Sequence, residues 1–349
     1  MRTLTAFALG LPLVVIAAAC GGDDDGSTTN TTTTTSSTAP GSGGSGGTGG
    51  DGSGAGGAGG DGGAGGEGGS VSWEGVDPIA NTEAVAEVSG GYGFTEGTCW
   101  FADEGVLRFT DIPNSRIHEV DAQGNVTVWR EPSGQTNGIA VTPEGDAVTC
   151  EHQNRRVTRS GPSGDNPEVV AEDYQGDRFN SPNDAIVRSD GNIYFTDPTY
   201  GLGNNPQEIP FRGVFRVAPD GTVSVVSADL TQPNGIALSP DEQTLYATDT
   251  EGDRLHAFPV NADGSTESGS VLAENIDGPD GMAVDDTGNL YLTTATGVQV
   301  LRADGTSWGT ITVPQQPSNC AFGDADRHTL YISARTALYK VRLNIPGKP

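Results

Sequence analysis

Six times in this 349-residue chain a short phrase opens on a side-chain oxygen. The openings are Glu96 in TEGTCWF, Asn137 in TNGIAVT, Asn183 in PNDAIVR, Asn234 in PNGIALS, Asp280 in PDGMAVD and Asn319 in SNCAFGD. If these six residues converge, they make a ring of carboxylates and amides with no Cys or His in it. Such a ring suits a hard divalent cation, which takes about six to eight oxygens and fills gaps in its shell with water. The carboxylates of Glu96 and Asp280 match the charge of one such ion, and Asn234 lies between them in the series. The plainer alternative is that polar residues line a wet channel and cap strand starts. Other chemistries find little support. Lys occurs only at Lys340 and Lys348, which leaves no amine nucleophile, and no Ser-His-Asp set can be picked out by role. Gly43-Gly44-Ser45-Gly46-Gly47 fits a hydrolase pattern, but no strand precedes it and no helix pattern follows, so it is discarded.

The elements that must position these oxygens repeat with them. Successive openings lie 41, 46, 51, 46 and 39 residues apart, and a second apolar strand starts 10 or 11 residues after each, at Leu107, Ala147, Ile193, Leu245, Leu290 and Leu330. Third strands read RIHEV, RRVTR, GVFRV, RLHAF, GVQVL and ALYKV; fourth strands read VTVWR, EVVAE, VSVVS, SVLAE and GTITV. The sixth unit ends near Leu343 without a fourth strand, and residues 84–88 can supply it from the other end of the domain. Short strands at this period, without helical periodicity, predict an all-β fold: a six-bladed β-propeller with four-stranded blades. Pairing the N- and C-terminal strands closes the ring and removes its open edges.

Strand direction then places the rest. If first strands start at the ring's mouth, loops after second strands and loops before first strands overlook it. His152, just after the second strand of blade two, lands there. So do Arg178, in DRFNSPND, and the one long insertion, residues 198–212, which reads as a lid on a rigid scaffold. His118, His256 and His328 fall on strands or turns and read as ordinary blade residues.

Composition bounds the partners. The formal charge is −28; one basic and six acidic residues precede residue 73, which leaves −23 on the remainder. Nucleic acid needs a basic footprint and is excluded as a partner; the charge serves solubility or attracts cations. Residues 21–72 are a Gly/Ser/Thr-rich tether, with 19 glycines in 41–70 alone. Such a stretch cannot bury enough apolar surface to offset its ordering entropy, and its reach is on the order of 40 Å. Residues 1–20, MRTLTAFALGLPLVVIAAAC, read as a secretory signal. Ala17-Ala18-Ala19 would suit an ordinary signal peptidase, but Cys20 followed by a tether resembles a bacterial lipobox. A lipid on Cys20 predicts an exported protein anchored in the cell envelope through the lipid alone. Residues 73–349 form the catalytic domain, expected as a monomer. Cys99, Cys150 and Cys320 show no C-x-x-C spacing, so buried free thiols are expected, with one disulfide open.

From about Tyr92 to Leu343 the chain resembles the gluconolactonase and regucalcin (senescence marker protein) family. The phrases are FTEGTCW, CEHQNRRVTR, RFNSPNDAIVRSDGNIYFTDPTYGL, QPNGIALSPDEQTLYATDT and GPDGMAVDDTGNLY. The resemblance implies that Glu96, Asn234 and Asp280 coordinate a divalent metal, with Asn183 alongside, directly or through water; Ca2+ comes first, with Zn2+, Mg2+ or Mn2+ as alternatives. It also implies that Arg178 and Asn183 contact a sugar lactone and that Asp280 acts as general base, with His152 a second base candidate by strand direction. Regucalcin carries its Arg two residues before the Asn, whereas Arg178 lies five before Asn183. Glu208 is the nearest counterpart of its lid glutamate. The expected reaction is hydrolysis, in which the metal polarises the lactone carbonyl and activated water attacks. Rivals are another lactone or phosphotriester hydrolase on the same ring, or a non-catalytic calcium-binding propeller displayed on the envelope.

Overall fold

The second strand of each repeat is deeply sunk: Leu107, Val148, Leu245, Leu290 and Leu330 are all fully buried. Strands flanked on both sides within a sheet, and covered above and below by neighbouring sheets, must be apolar on both faces. That condition describes the middle of a propeller blade. The structure, a computed structural model, describes Ser72, Trp73 and residues 75–348. The leader, Cys20 and nearly all of the tether lie outside the described residues.

Six four-stranded antiparallel sheets are arranged as blades, and no helix occurs among the described residues. Blade one runs Thr95–Phe101, Val106–Asp111, Arg116–Val120 and Val126–Arg130, and blades two to five repeat this order. In blade six the strands Pro317–Gly323, Thr329–Ala334 and Ala337–Arg342 are completed by Ala86–Gly90 from the start of the domain. The closing strand sits two residues later than residues 84–88, because its ladder runs from Ala86 opposite Lys340 to Gly90 opposite Ala337, with an irregularity between Glu87 and Ser89.

The core is a set of layers between blades. Tyr291, Val298 and Val300 of blade five pack with Cys320, Leu330 and Ile332 of blade six. Leu107 and Phe109 of blade one pack with Tyr331 and Leu338 of blade six, sealing the ring on its apolar faces. Fourth strands are partly exposed, with Val128, Val169 and Val271 open to solvent. Below the polar ring the central channel widens into a cavity of about 540 Å³, walled by residues such as Ile139, Ile186, Leu238 and Phe322. Cys99, Cys150 and Cys320 are buried free thiols, so no disulfide links them.

Candidate active site

The six ring residues enter the channel by stepping out of the strand ladder. Pairing breaks register between Glu96 and Cys99, Thr136 and Ile139, Pro233 and Ile236, and Pro317 and Asn319. In blades three and five the ladder starts later, at Ala185–Val187 and Met282–Val284, so Asn183 and Asp280 precede their strands rather than opening them. The reason is contact between neighbours. Gly138 donates its N–H to Asn183 O at 2.7 Å, and Gly281 donates to Ser318 O at 2.8 Å. A Cβ on Gly235 would land on the backbone carbonyl of Asp280, and one on Gly281 would sit 2.6 Å from the Asn319 side chain. The glycine that follows Glu96, Asn137, Asn234 and Asp280 is therefore a demand of close blade packing. Threonines of the second strands fasten the same joints: Thr110 Oγ1 donates to Asn137 O (2.9 Å), Thr196 to Asn234 O (2.6 Å) and Thr248 to Asp280 O (2.8 Å).

The structure brings Glu96, Asn137, Asn183, Asn234 and Asn319 together as buried side chains, with Asp280 half-buried beside them. A third carboxylate joins them, Asp184. Burial raises the Glu96 carboxyl well above the ordinary range, and the nearby charges of Asp280 and Asp184 add to it. Asp280 is pushed up to about 7 by burial and by Asp184, with some relief from the Asn234 amide. Asp184 is pushed up to about 7 by burial, against bonds from Ala185 N and the Asn319 amide. Among the described residues no ion pair reaches any of the three. The side-chain Oδ1 of Asn137 is buried without a hydrogen-bond partner. No three Asp, Glu, His or Cys side chains among the described residues converge as a complete cage; the donor set is mixed, carboxylates with amides. Buried carboxylates with no ion-pair partner among the described residues, next to an orphaned amide oxygen, are what a divalent ion would satisfy. The residues fit the group.

His152 is buried beside the ring, its Nε2 3.4 Å from Asn137 Nδ2. Burial holds its imidazole down at about 4, so it is neutral at physiological pH. Gly201 of the 198–212 segment lies against the imidazole so closely that a Cβ there would collide with it. That segment is pinned rather than loose: Ser181 Oγ donates to Pro198 O (2.7 Å) and accepts from Gly201 N (3.0 Å), while Leu202 and Ile209 are buried. Arg178 sits in a small hairpin, Asp173–Tyr174 with Asp177–Arg178. It is exposed, and its Nη2 donates to Asn154 O at 2.6 Å, leaving the other donors of the fork open to a ligand. Glu208 is engaged by Arg155, whose Nη1 donates to it at 2.8 Å, and by the backbone N–H of Arg178. It clamps the Arg178 hairpin to the segment above.

Three residues escaped the reading of the sequence. Asp184 had a signal: five openings are followed by Gly or Cys, and the third, PND, is followed by a carboxylate. Gly138 makes room for it, since a Cβ there would meet Asp184 Oδ1 at 2.5 Å. Tyr200 and Thr250 had none. Tyr200 brings its hydroxyl 3.4 Å from Asn234 Nδ2, and Thr250 Oγ1 lies 3.1 Å from the same nitrogen.

Fold and site together define a class: a six-bladed propeller with one mouth ringed by buried carboxylates and amides. Residues 94–336 match the family described as SMP-30/Gluconolactonase/LRE-like region, and the chain belongs to that family. A gluconolactonase from Zymomonas mobilis is 33% identical over 284 residues, covering 73% of this chain and 80% of the relative. The pentonolactonase XacC of Haloferax volcanii is 28% identical over 251 residues, 68% of this chain and 80% of the relative. Among solved structures, a gluconolactonase from Xanthomonas campestris superposes with a TM-score of 0.72 at 35% identity, covering 76% of this chain and 91% of that one.

Proposed function

We propose that the ring mouth opens a sugar lactone by metal-assisted hydrolysis. That the chain is a lactone-hydrolysing enzyme follows from its family and from relatives that are lactonases. The finer reading rests on one observation: Glu96 and Asp280, with Asp184 behind them, are carboxylates packed together and raised by burial and mutual repulsion, with Arg335 acting on Asp280 only as a smaller, opposing influence.

Glu96, Asn183, Asn234 and Asp280 would hold the ion, most simply Ca2+, which when bound polarises a carbonyl and stabilises the oxyanion that develops on it. Asn183 and the free donors of Arg178 orient the sugar hydroxyls. Asp280 accepts the proton of the attacking water; His152, neutral and next to Asn137, is the second candidate for that role. The segment 198–212 narrows the mouth and excludes bulk water. Cys20 carries a lipid in this reading, which places the domain in the cell envelope at the end of its tether.

The test is opening of glucono-1,5-lactone followed as proton release, with and without chelator. Calcium-dependent turnover is the expected result. Turnover unaffected by exhaustive chelation would remove the metal from the reaction. For the anchor, mass spectrometry of the native N-terminus should find a lipidated Cys20; an unmodified chain starting after Ala19 would overturn it.

A further inference from the structure

Two amides of the ring are held in opposite senses, and that difference sorts them. An Asn side chain offers a carbonyl acceptor at one end and an NH2 donor at the other. Which end faces a ligand is set by what engages its opposite end. Thr250 Oγ1 donates its single proton to Pro279 O at 2.7 Å. Toward Asn234, 3.1 Å away, the same hydroxyl is therefore an acceptor, and the group facing it must be Nδ2. Tyr200 OH lies on that side at 3.4 Å, and the Asp280 carboxylate also lies against this amide. The Asn234 NH2 is thus fully engaged, and its carbonyl oxygen is turned the other way.

Asn319 shows the opposite arrangement. Thr98 Oγ1 donates to its carbonyl at 3.2 Å, and its NH2 faces Asp184 Oδ2 at 3.4 Å. Its carbonyl is spent within the protein, and what it shows to the carboxylates is a donor.

We infer that Thr250, with Tyr200 from the 198–212 segment, is a positioning residue that aims the Asn234 carbonyl at the proposed cation, whereas Thr98 withholds the Asn319 carbonyl from it. This rests on the metal reading above. Outer partners of this kind orient a ligand before the ion arrives, and their loss typically weakens metal affinity about 10–100-fold. Thr250 is itself anchored, its backbone N–H donating to Gln232 O at 3.0 Å, so the hydroxyl is held in place by the chain.

The experiment is calcium titration by calorimetry on the purified chain after chelation, with the chelated melting temperature as a check on folding. Thr250→Val keeps the shape and removes the hydroxyl; calcium affinity should fall about tenfold or more, and Thr250→Ser should restore it. Tyr200→Phe, on a half-exposed residue, should fold normally and give a smaller loss in the same direction. Thr98→Val should bind calcium as the unaltered protein does. Equal calcium affinity in the unaltered chain, Thr250→Val and Tyr200→Phe would overturn the inference while leaving the metal site standing. An equal loss in Thr98→Val would overturn the distinction between the two amides. An unaltered chain that binds no calcium would remove both the inference and the metal reading.

Discussion

At the scale of single residues the site is a cluster of carboxylates kept close together. Burial pushes the Asp184 and Asp280 carboxyls up to about 7, against an ordinary value of 3.8, and Glu96 is raised as well. Between those values the folded chain binds more protons than the unfolded one, so stability falls as pH rises through the window. His152, lowered from 6.5 to about 4, acts in the opposite sense below 6.5, but it is one group against three. Urea midpoints of the chelated protein should therefore be lower at pH 8 than at pH 5.5, and calcium should remove the difference by mass action. A flat chelated profile would show that the carboxylates are not stressed. Substitutions separate the roles further. Asp280→Asn should weaken calcium affinity and lactone turnover together, because it removes both a charge and a proton acceptor. His152→Ala should spare calcium affinity and leave the shape of the pH–rate profile between pH 6 and 8 unchanged. A rate loss of about 10²-fold or more in that variant would move the proton from Asp280 to His152.

At the scale of elements, each inner strand must carry a ring residue and still pack against its neighbour's backbone. In four of the six blades the glycine that follows the ring residue satisfies both demands. Gly235→Ala would drive a methyl into the Asp280 carbonyl, and a contact of this kind typically costs about 1–3 kcal/mol of overpacking. The expected loss of stability, read from urea unfolding of the chelated protein, should come with weaker calcium binding, because the displaced carbonyl belongs to a ring residue. An Ala variant with unchanged midpoint would mean that the joint between blades four and five yields more easily than its geometry implies. A second device repeats alongside the first. Asp111, Asp197 and Asp249, at the ends of second strands, accept backbone N–H groups from the loops that lead into the first strands of the same blades. These carboxylates anchor the loops that overlook the mouth; they are structural, though in sequence they look much like site residues.

At the scale of the whole molecule, the ring is held shut by a strand of five residues, Ala86–Gly90, laid against Ala337–Arg342. A chain beginning at residue 73 should melt at the same temperature as the full-length protein. One beginning at residue 91 should melt well below it and aggregate, because blade six would then offer an unpaired edge. Equal melting temperatures for the two truncations would show that the apolar layer between blades one and six closes the ring without the strand.

The repeat of six phrases, the four strands in each and the borrowed strand that completes the last were legible in the chain, because blades are local units whose period and alternation are written in consecutive residues. The ring of Glu96, Asn137, Asn183, Asn234, Asp280 and Asn319 was legible for the same reason: equivalent positions in a closed repeat must meet at the axis. What the sequence did not disclose depends on contacts between segments far apart in the chain. Arg178 could be placed on the right face, but that its guanidinium rests on Asn154 is settled by a hairpin and a turn from different blades. That Glu208, the nearest counterpart of a lid glutamate, is bonded to Arg155 follows from two segments 53 positions apart in the chain. The insertion at 198–212 read as a lid, and only tertiary packing shows Ser181 pinning it and Gly201 closing over His152. Periodicity carries the fold because it is a property of neighbours in sequence. The direction in which an amide or a carboxylate turns is decided by partners that only folding brings near.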